Sequence, residues 1–111
     1  MAPSLLIDAG HFAQLRKEPK MAVAVTIDIP GGNEQFYEQM VAKLFPEGKL
    51  PDGWQVHLAG PTADGWRVVN VVPSQEQFEV FAREQLIPAV QQAEKVTPQL
   101  SFFPVYRLIQ T

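Results

Sequence analysis

Cysteine is absent from this 111-residue chain, which excludes a disulfide scaffold, a thiolate zinc site and a cysteine nucleophile. Basic residues are too few to hold nucleic acid or an anionic membrane, because 9 Lys and Arg stand against 12 Asp and Glu. No apolar run approaches the roughly 18 residues of a membrane span. A secretory signal is also missing, since the first residues have neither a basic start nor a long apolar stretch. We therefore expect a cytoplasmic protein with no nucleic-acid or membrane partner.

The residues that are present have the composition of one globular domain. Apolar types make up 46% of the chain and charged types 19%, which is far from the composition of a disordered protein. Residues 1–20 are weakly patterned, and we predict a poorly ordered N-terminal extension there. Residues 21–111 carry a strong pattern and are predicted to form the domain.

The first half of the predicted domain begins with a strand over residues 22–29, where side chains alternate with period two. Asn33 is the expected N-cap of a helix. The apolar residues of that helix recur at helical spacing: Phe36, Tyr37, Met40, Val41 and Leu44. Two further strands, at residues 54–59 and 66–72, flank a loop with an Asp-Gly hairpin signal.

The second half is predicted to contain a helix and a final strand. Ser74 opens a capping box, SQEQ, at the start of the helix. Pro88 has no N–H to donate, so we expect a kink or a restart near Ile87. The last strand is predicted over residues 102–109, with Pro104 indicating an edge position. This order predicts an α+β, ferredoxin-like βαββαβ domain with a four-stranded antiparallel sheet and two helices on one face.

One face of the sheet is predicted to be free of the helices. With Gly60 placed opposite Gly65, neighbouring strands share a mixed row of polar and apolar side chains: Gln55, His57, Ala59, Trp66, Val68 and Asn70. The opposite row of the same strands is heavier and is expected under the helices: Trp54, Val56, Leu58, Arg67, Val69 and Val71. The mixed row suits neither solvent nor an ordinary core, so we expect it to meet a second copy in a homodimer or to line a cavity.

Several segments together resemble a known family. The strand GWRVVNVV (residues 65–72), the capped helix start SQEQF (74–78), Phe81 and the segment LIPA (86–89) look like the antibiotic-biosynthesis-monooxygenase-like group of dimeric α+β barrel proteins. The resemblance covers about residues 21–111. It implies that two ferredoxin-like sheets pair face to face into a barrel. It also implies activities that range from cofactor-free oxygenation of aromatic compounds to haem degradation and lactone isomerisation.

No cofactor is expected for this chain. The haem-degrading relatives use a helix histidine as the iron ligand, and residues 74–94 contain no histidine. His11 and His57 stand in different segments without metal-ligand spacing, so no metal site is predicted either.

The candidate catalytic residues are His57 and Asn70. His57 is a neutral base near pH 7 that could take a phenolic proton, and the alternative is a structural histidine hydrogen-bonded across the sheet or dimer interface. Asn70 and Gln55 face each other in the predicted register. They either hold a substrate oxygen or satisfy one another.

The candidate substrate-binding residues also have structural alternatives. Trp66 either stacks on a planar substrate or belongs to the core. Tyr106 could offer a hydroxyl to a pocket, but the sequence does not determine on which face of the sheet it lies. Arg107 pairs either with Asp28 or with an anionic ligand.

Three functional hypotheses follow from these residues. The first is a cofactor-independent monooxygenase-like enzyme acting on a small aromatic substrate. The second is a non-catalytic homodimer that binds a small ligand or serves as an interaction module. The third is RNA binding, because the same element order builds the RRM, but the second stacking aromatic is replaced by Val68 and the basic surface is lacking. We set the third aside.

Overall fold

The structure is a computed structural model, and it describes residues 21–94 and 96–110. The predicted extension, residues 1–20, lies outside the described residues. The elements follow one another as strand β1 (Val23–Pro30), helix α1 (Glu34–Leu44), a short 3-10 turn (Pro46–Gly48), β2 (Val56–Thr62) and β3 (Gly65–Val72). A second helical region then leads to β4 (Gln99–Pro104). The α+β class and the predicted element order are confirmed.

The four strands form one antiparallel sheet in the order β2-β3-β1-β4. This arrangement, with two helical regions packed on one face, is compatible with a ferredoxin-like fold. β4 is an edge strand, as Pro104 predicted. The strand covers Gln99–Pro104 rather than residues 102–109. The prediction for its far end was wrong because the chain leaves the sheet after Pro104, and the apolar residues Leu108 and Ile109 are exposed.

Both helix starts are capped as the sequence predicts. The Asn33 side chain accepts a hydrogen bond from the Phe36 amide at 2.8 Å, and the Ser74 hydroxyl accepts one from the Gln77 amide at 3.1 Å. Each cap satisfies an amide that has no partner within the first helical turn. The caps therefore fix where each helix leaves the sheet.

The second helical region is interrupted at the place that Pro88 predicts. Helix α2 (Gln75–Phe81) passes into a π turn (Ala82–Leu86) and then into helix α3 (Ile87–Glu94). Pro88 cannot donate to the carbonyl of Glu84, and its ring crowds that carbonyl, so the chain widens by one residue before it continues. The widened turn keeps Ala82 and Leu86 in the core, where both are buried.

The core lies between the helices and one face of the sheet. The buried cluster combines sheet residues such as Val25, Ile27 and Val68 with helix residues such as Phe36 and Phe78. None of the helices within the described part of the chain has the length and hydropathy needed to cross a bilayer.

The prediction of which face the helices cover was wrong for β2 and β3. Paired residues of antiparallel strands share a face, and β1 pairs Val25 with Asn70, Ile27 with Val68 and Ile29 with Trp66. The mixed row therefore lies under the helices, on the same face as the heavy row of β1.

The other face of the sheet, which we call the second face, carries the strand residues of the row that was expected in the core. Trp54, just before β2, is the exception and packs against the core as expected. Leu58 on β2 is 56% exposed and Phe103 on β4 is 58% exposed, so apolar surface faces outward near both edges. Arg67 forms a two-point ion pair with Asp28 on this face, at 2.6 and 3.2 Å. Asp28 therefore pairs with Arg67, and not with Arg107, which was one of the two alternatives for Arg107.

Candidate functional site

Three polar side chains are linked by hydrogen bonds between the sheet and α1. The Tyr37 hydroxyl lies 2.6 Å from His57 Nε2, and His57 Nδ1 lies 2.7 Å from Asn70 Oδ1. We call these residues the Tyr37–His57–Asn70 chain. They come from α1, β2 and β3, so the fold rather than a sequence motif brings them together.

The hairpin register places two of the three side chains opposite each other. His57 pairs with Asn70 across β2 and β3, two residues away from the predicted register, because β2 continues through Pro61 and Thr62 before the chain turns. Because the shift is an even number of residues, side chains that were predicted to share a face still share one. The expected pairing of Gln55 with Asn70 was therefore wrong, whereas the shared face of His57 and Asn70 holds.

The hydrogen bonds define the protonation pattern of neutral His57. Asn70 Oδ1 can only accept, so the His57 proton sits on Nδ1. The Nε2 lone pair is then free to accept the hydroxyl proton of Tyr37. Asn70 is 2% exposed, so its hydrogen bond with His57 is shielded from water. That hydrogen bond holds the imidazole in one tautomer and one orientation.

Aromatic rings enclose His57 on two sides. The Tyr37 ring lies parallel to the imidazole, with centroids 5.9 Å apart and planes at 14°. Phe45 meets the imidazole edge-on at 5.5 Å. These contacts restrict the rotation of the imidazole and keep its surroundings apolar.

Trp66 packs against the Tyr37 ring, at one end of the Tyr37–His57–Asn70 chain. Its ring centroid is 5.3 Å from that of Tyr37. Among the described residues, the Trp66 indole Nε1 is a buried polar atom without a hydrogen-bond partner. A buried donor of this kind is costly to leave unpaired, so the Trp66 indole has a hydrogen bond that the described residues do not satisfy.

The surroundings of Tyr37 favour the protonated form of its phenol, which is also the ordinary form at neutral pH. The pKa of the Tyr37 phenol is raised above its ordinary value, first because the ring is partly desolvated and second because the carboxylate of Glu38 is near. Tyr37 is therefore a hydrogen-bond donor to His57 over the physiological pH range.

A small apolar cavity adjoins the chain. Its volume is about 30 Å³, which is room for a water molecule but not for an aromatic ring. Tyr37, His57 and Asn70 provide the polar part of its lining, and the apolar part includes Phe81 and Leu86. Leu86 comes from the π turn, so the widened helix shapes this wall.

The remaining predicted residues lie elsewhere. Gln55 is exposed just before β2, and its backbone amide donates to the carbonyl of Val71 at 2.8 Å. Tyr106, 83% exposed, and Arg107 follow the end of β4. The Arg107 guanidinium lies over the Tyr106 ring at 5.4 Å, so the two residues pair with each other.

Tyr37 is the member of the site that sequence reasoning missed. Its position in the apolar stripe of α1 marked it only as a core residue. A useful signal would have been the hydroxyl in that stripe, because a buried phenol needs a partner.

Metal ligands are not gathered in this part of the molecule. Within residues 21–94 and 96–110, no three His, Asp or Glu side chains come close enough to hold an ion together. Comparison of the chain with protein-family models, curated proteins and solved structures finds no match. Function must therefore be inferred from the contacts of the site.

Proposed function

We propose that this protein binds a small aromatic compound between its sheet and α1 and oxidises it as a cofactor-independent, monooxygenase-like enzyme. The observation that carries the proposal is the Tyr37–His57–Asn70 chain, in which a histidine lone pair points at a phenolic hydroxyl inside an aromatic enclosure. The same geometry would serve a phenolic or quinolic substrate. The resemblance of residues 65–89 to monooxygenase-like proteins is in line with this activity.

His57 acts as the base in this scheme. Its Nε2 takes the hydroxyl proton of the substrate, and Asn70 stabilises the resulting imidazolium through the Nδ1 proton. The ionised aromatic ring is electron-rich and is the reductant for dioxygen. When a phenol becomes a quinone, one oxygen atom of dioxygen enters the ring. The other leaves as water with the hydroxyl hydrogen and one ring hydrogen.

The test is oxygen uptake with a panel of small phenols and quinols and no added cofactor. We expect the His57→Ala variant to lose roughly 100-fold in turnover, the usual scale for losing a general base. Trp66→Ala should mainly weaken substrate binding. Gln55→Ala is the matched control, because Gln55 is exposed and outside the hydrogen-bonded chain. Equal uptake by wild type and a folded His57→Ala variant would exclude the proposal.

A second candidate function is a homodimer that pairs through the second face of the sheet. Leu58 and Phe103 expose apolar surface there, and a symmetric partner would cover both edges of the face at once. A stable pair would bury roughly 1,200 Å² or more in total. Such a dimer could bind a ligand or a partner without catalysis.

Sedimentation at micromolar concentration tests the dimer. Leu58→Glu and Phe103→Glu should each shift a dimer toward monomer, because each places a charge in the contact. Val80→Glu is the control, since Val80 is 42% exposed on α2, away from the sheet. A wild-type monomer, or equal effects of all three variants, would contradict pairing through this face.

A further inference from the structure

The side chain of Tyr37 has the chemistry of the substrate class proposed above. It is a single-ring phenol whose hydroxyl reaches His57 Nε2 at 2.6 Å. Its ring lies beside both His57 and Trp66. Tyr37, a residue of the protein itself, thus already makes the hydrogen bond and the ring contacts that would recognise a phenol.

The space around the site requires that something move before a ligand enters. The cavity of about 30 Å³ is far smaller than the roughly 150 Å³ apolar cavity that admits benzene. Among the residues that line it, Ile27, Phe36 and Val68 are buried in the core and are held by packing. Tyr37 is half-buried, as are Val41, Leu44 and Phe81. Of these four, Tyr37 alone occupies His57 Nε2, so rotation of its side chain toward solvent would free a volume of the shape of a phenol next to that atom.

We propose that Tyr37 occupies the ligand position, and that the site takes a single-ring phenol which replaces the Tyr37 hydroxyl on His57 Nε2. We call this position the phenol subsite, made of His57 Nε2, the Trp66 ring and the volume of the Tyr37 ring. The inference rests on the proposed function for the place of the ligand. It adds two points to that function: the substrate has a single ring, and the Tyr37 phenol occupies the site when no ligand is bound.

The raised pKa of Tyr37 agrees with this role. A protonated tyrosine gives up its hydrogen bond to an incoming phenol without leaving a charge behind. Trp66 would keep a ring contact with whichever phenol is present, because its ring lies against the Tyr37 ring, and its indole N–H is therefore a suitable probe of the exchange.

Binding of 4-methylphenol tests the subsite, with toluene as the probe that has the same shape and no hydroxyl. In Tyr37→Ala, we expect 4-methylphenol to bind roughly 3- to 10-fold more tightly than toluene, the value of one hydrogen bond. The Trp66 indole resonance in a ¹H–¹⁵N NMR spectrum should move during the titration. Equal affinity for the two probes would overturn the proposal, since any apolar hole would give that result.

Tyr37→Phe covers the case in which Tyr37→Ala does not fold. This variant keeps the ring but gives His57 no competing hydroxyl, so 4-methylphenol should bind roughly 3- to 10-fold more tightly than in wild type. Equal binding to wild type and Tyr37→Phe would overturn the proposal. When His57→Phe is added to Tyr37→Phe, the preference for 4-methylphenol over toluene should disappear. A preference that persists in this double variant would also overturn the proposal.

Oxygen uptake separates this inference from the proposed function. Hydroxyl-dependent binding without oxygen consumption would confirm the phenol subsite and remove the oxygenase. Oxygen consumption that depends on His57, with no difference between 4-methylphenol and toluene in binding, would keep the enzyme and remove the subsite.

Discussion

The hydrogen bond between His57 and Asn70 gives the sharpest energetic prediction. Asn70→Leu keeps the size of the side chain but removes the acceptor of the His57 Nδ1 proton. Leaving a buried donor unpaired costs about 1–3 kcal/mol. Because His57 is half-buried and can reach water in part, we expect the free energy of unfolding to fall by about 1–2 kcal/mol. The melting temperature should fall by about 4 °C or more.

A double-mutant cycle isolates the pair from other effects of the substitution. His57→Phe alone strands Asn70 Oδ1, whereas Asn70→Leu combined with His57→Phe removes both polar groups. The loss in the double variant should therefore be smaller than the sum of the single losses by about 1 kcal/mol. Urea unfolding gives the free energy of unfolding of all three variants. Gln55→Leu is the control, because it also replaces an amide by leucine but at an exposed position, and its free energy of unfolding should stay within about 0.5 kcal/mol of wild type. Additive losses would refute the 2.7 Å contact as a stabilising hydrogen bond.

Three further predictions concern the backbone and the pH dependence of stability. Gly65→Ala should cost about 1–3 kcal/mol in thermal unfolding, because its new Cβ would overlap a β1 carbonyl, whereas Gly60→Ala meets open space and should change little. Glu47→Asn should raise stability by about 0.5 kcal/mol, because Glu47 has a φ of 65°, a conformation that asparagine tolerates better. The raised pKa of Tyr37 means that the folded state keeps a proton which the unfolded chain loses at about pH 10. Stability should therefore fall as pH rises above about 10, and urea unfolding of Tyr37→Phe should show a smaller fall.

Local features of the fold were predictable from the sequence. The caps at Asn33 and Ser74 and the interruption before Pro88 depend on chemistry within one or two helical turns. The hairpin between β2 and β3 was also predicted, but its register was displaced by two residues. Gly60 and Pro61 have the composition of a loop and nevertheless continue β2, because pairing with β3 outweighs their low strand propensity.

The choice of face could not be predicted because it depends on polar contacts between distant elements. His57 and Asn70 made their row appear unsuited to a core. Tyr37, which lies 20 positions from His57 along the chain, supplies the partner that allows both to lie under the helices. A core that contains a satisfied polar chain does not obey a simple count of apolar side chains.

The two edge strands of the sheet carry prolines, and this affects how molecules of this protein meet one another. Pro61 lies in β2 and Pro104 ends β4, and neither residue has an N–H to offer to an additional strand. Sheets with unprotected edges recruit one another into open-ended aggregates. Interrupted edges make that growth unfavourable, so this protein should resist edge-to-edge growth into fibres even in a concentrated solution.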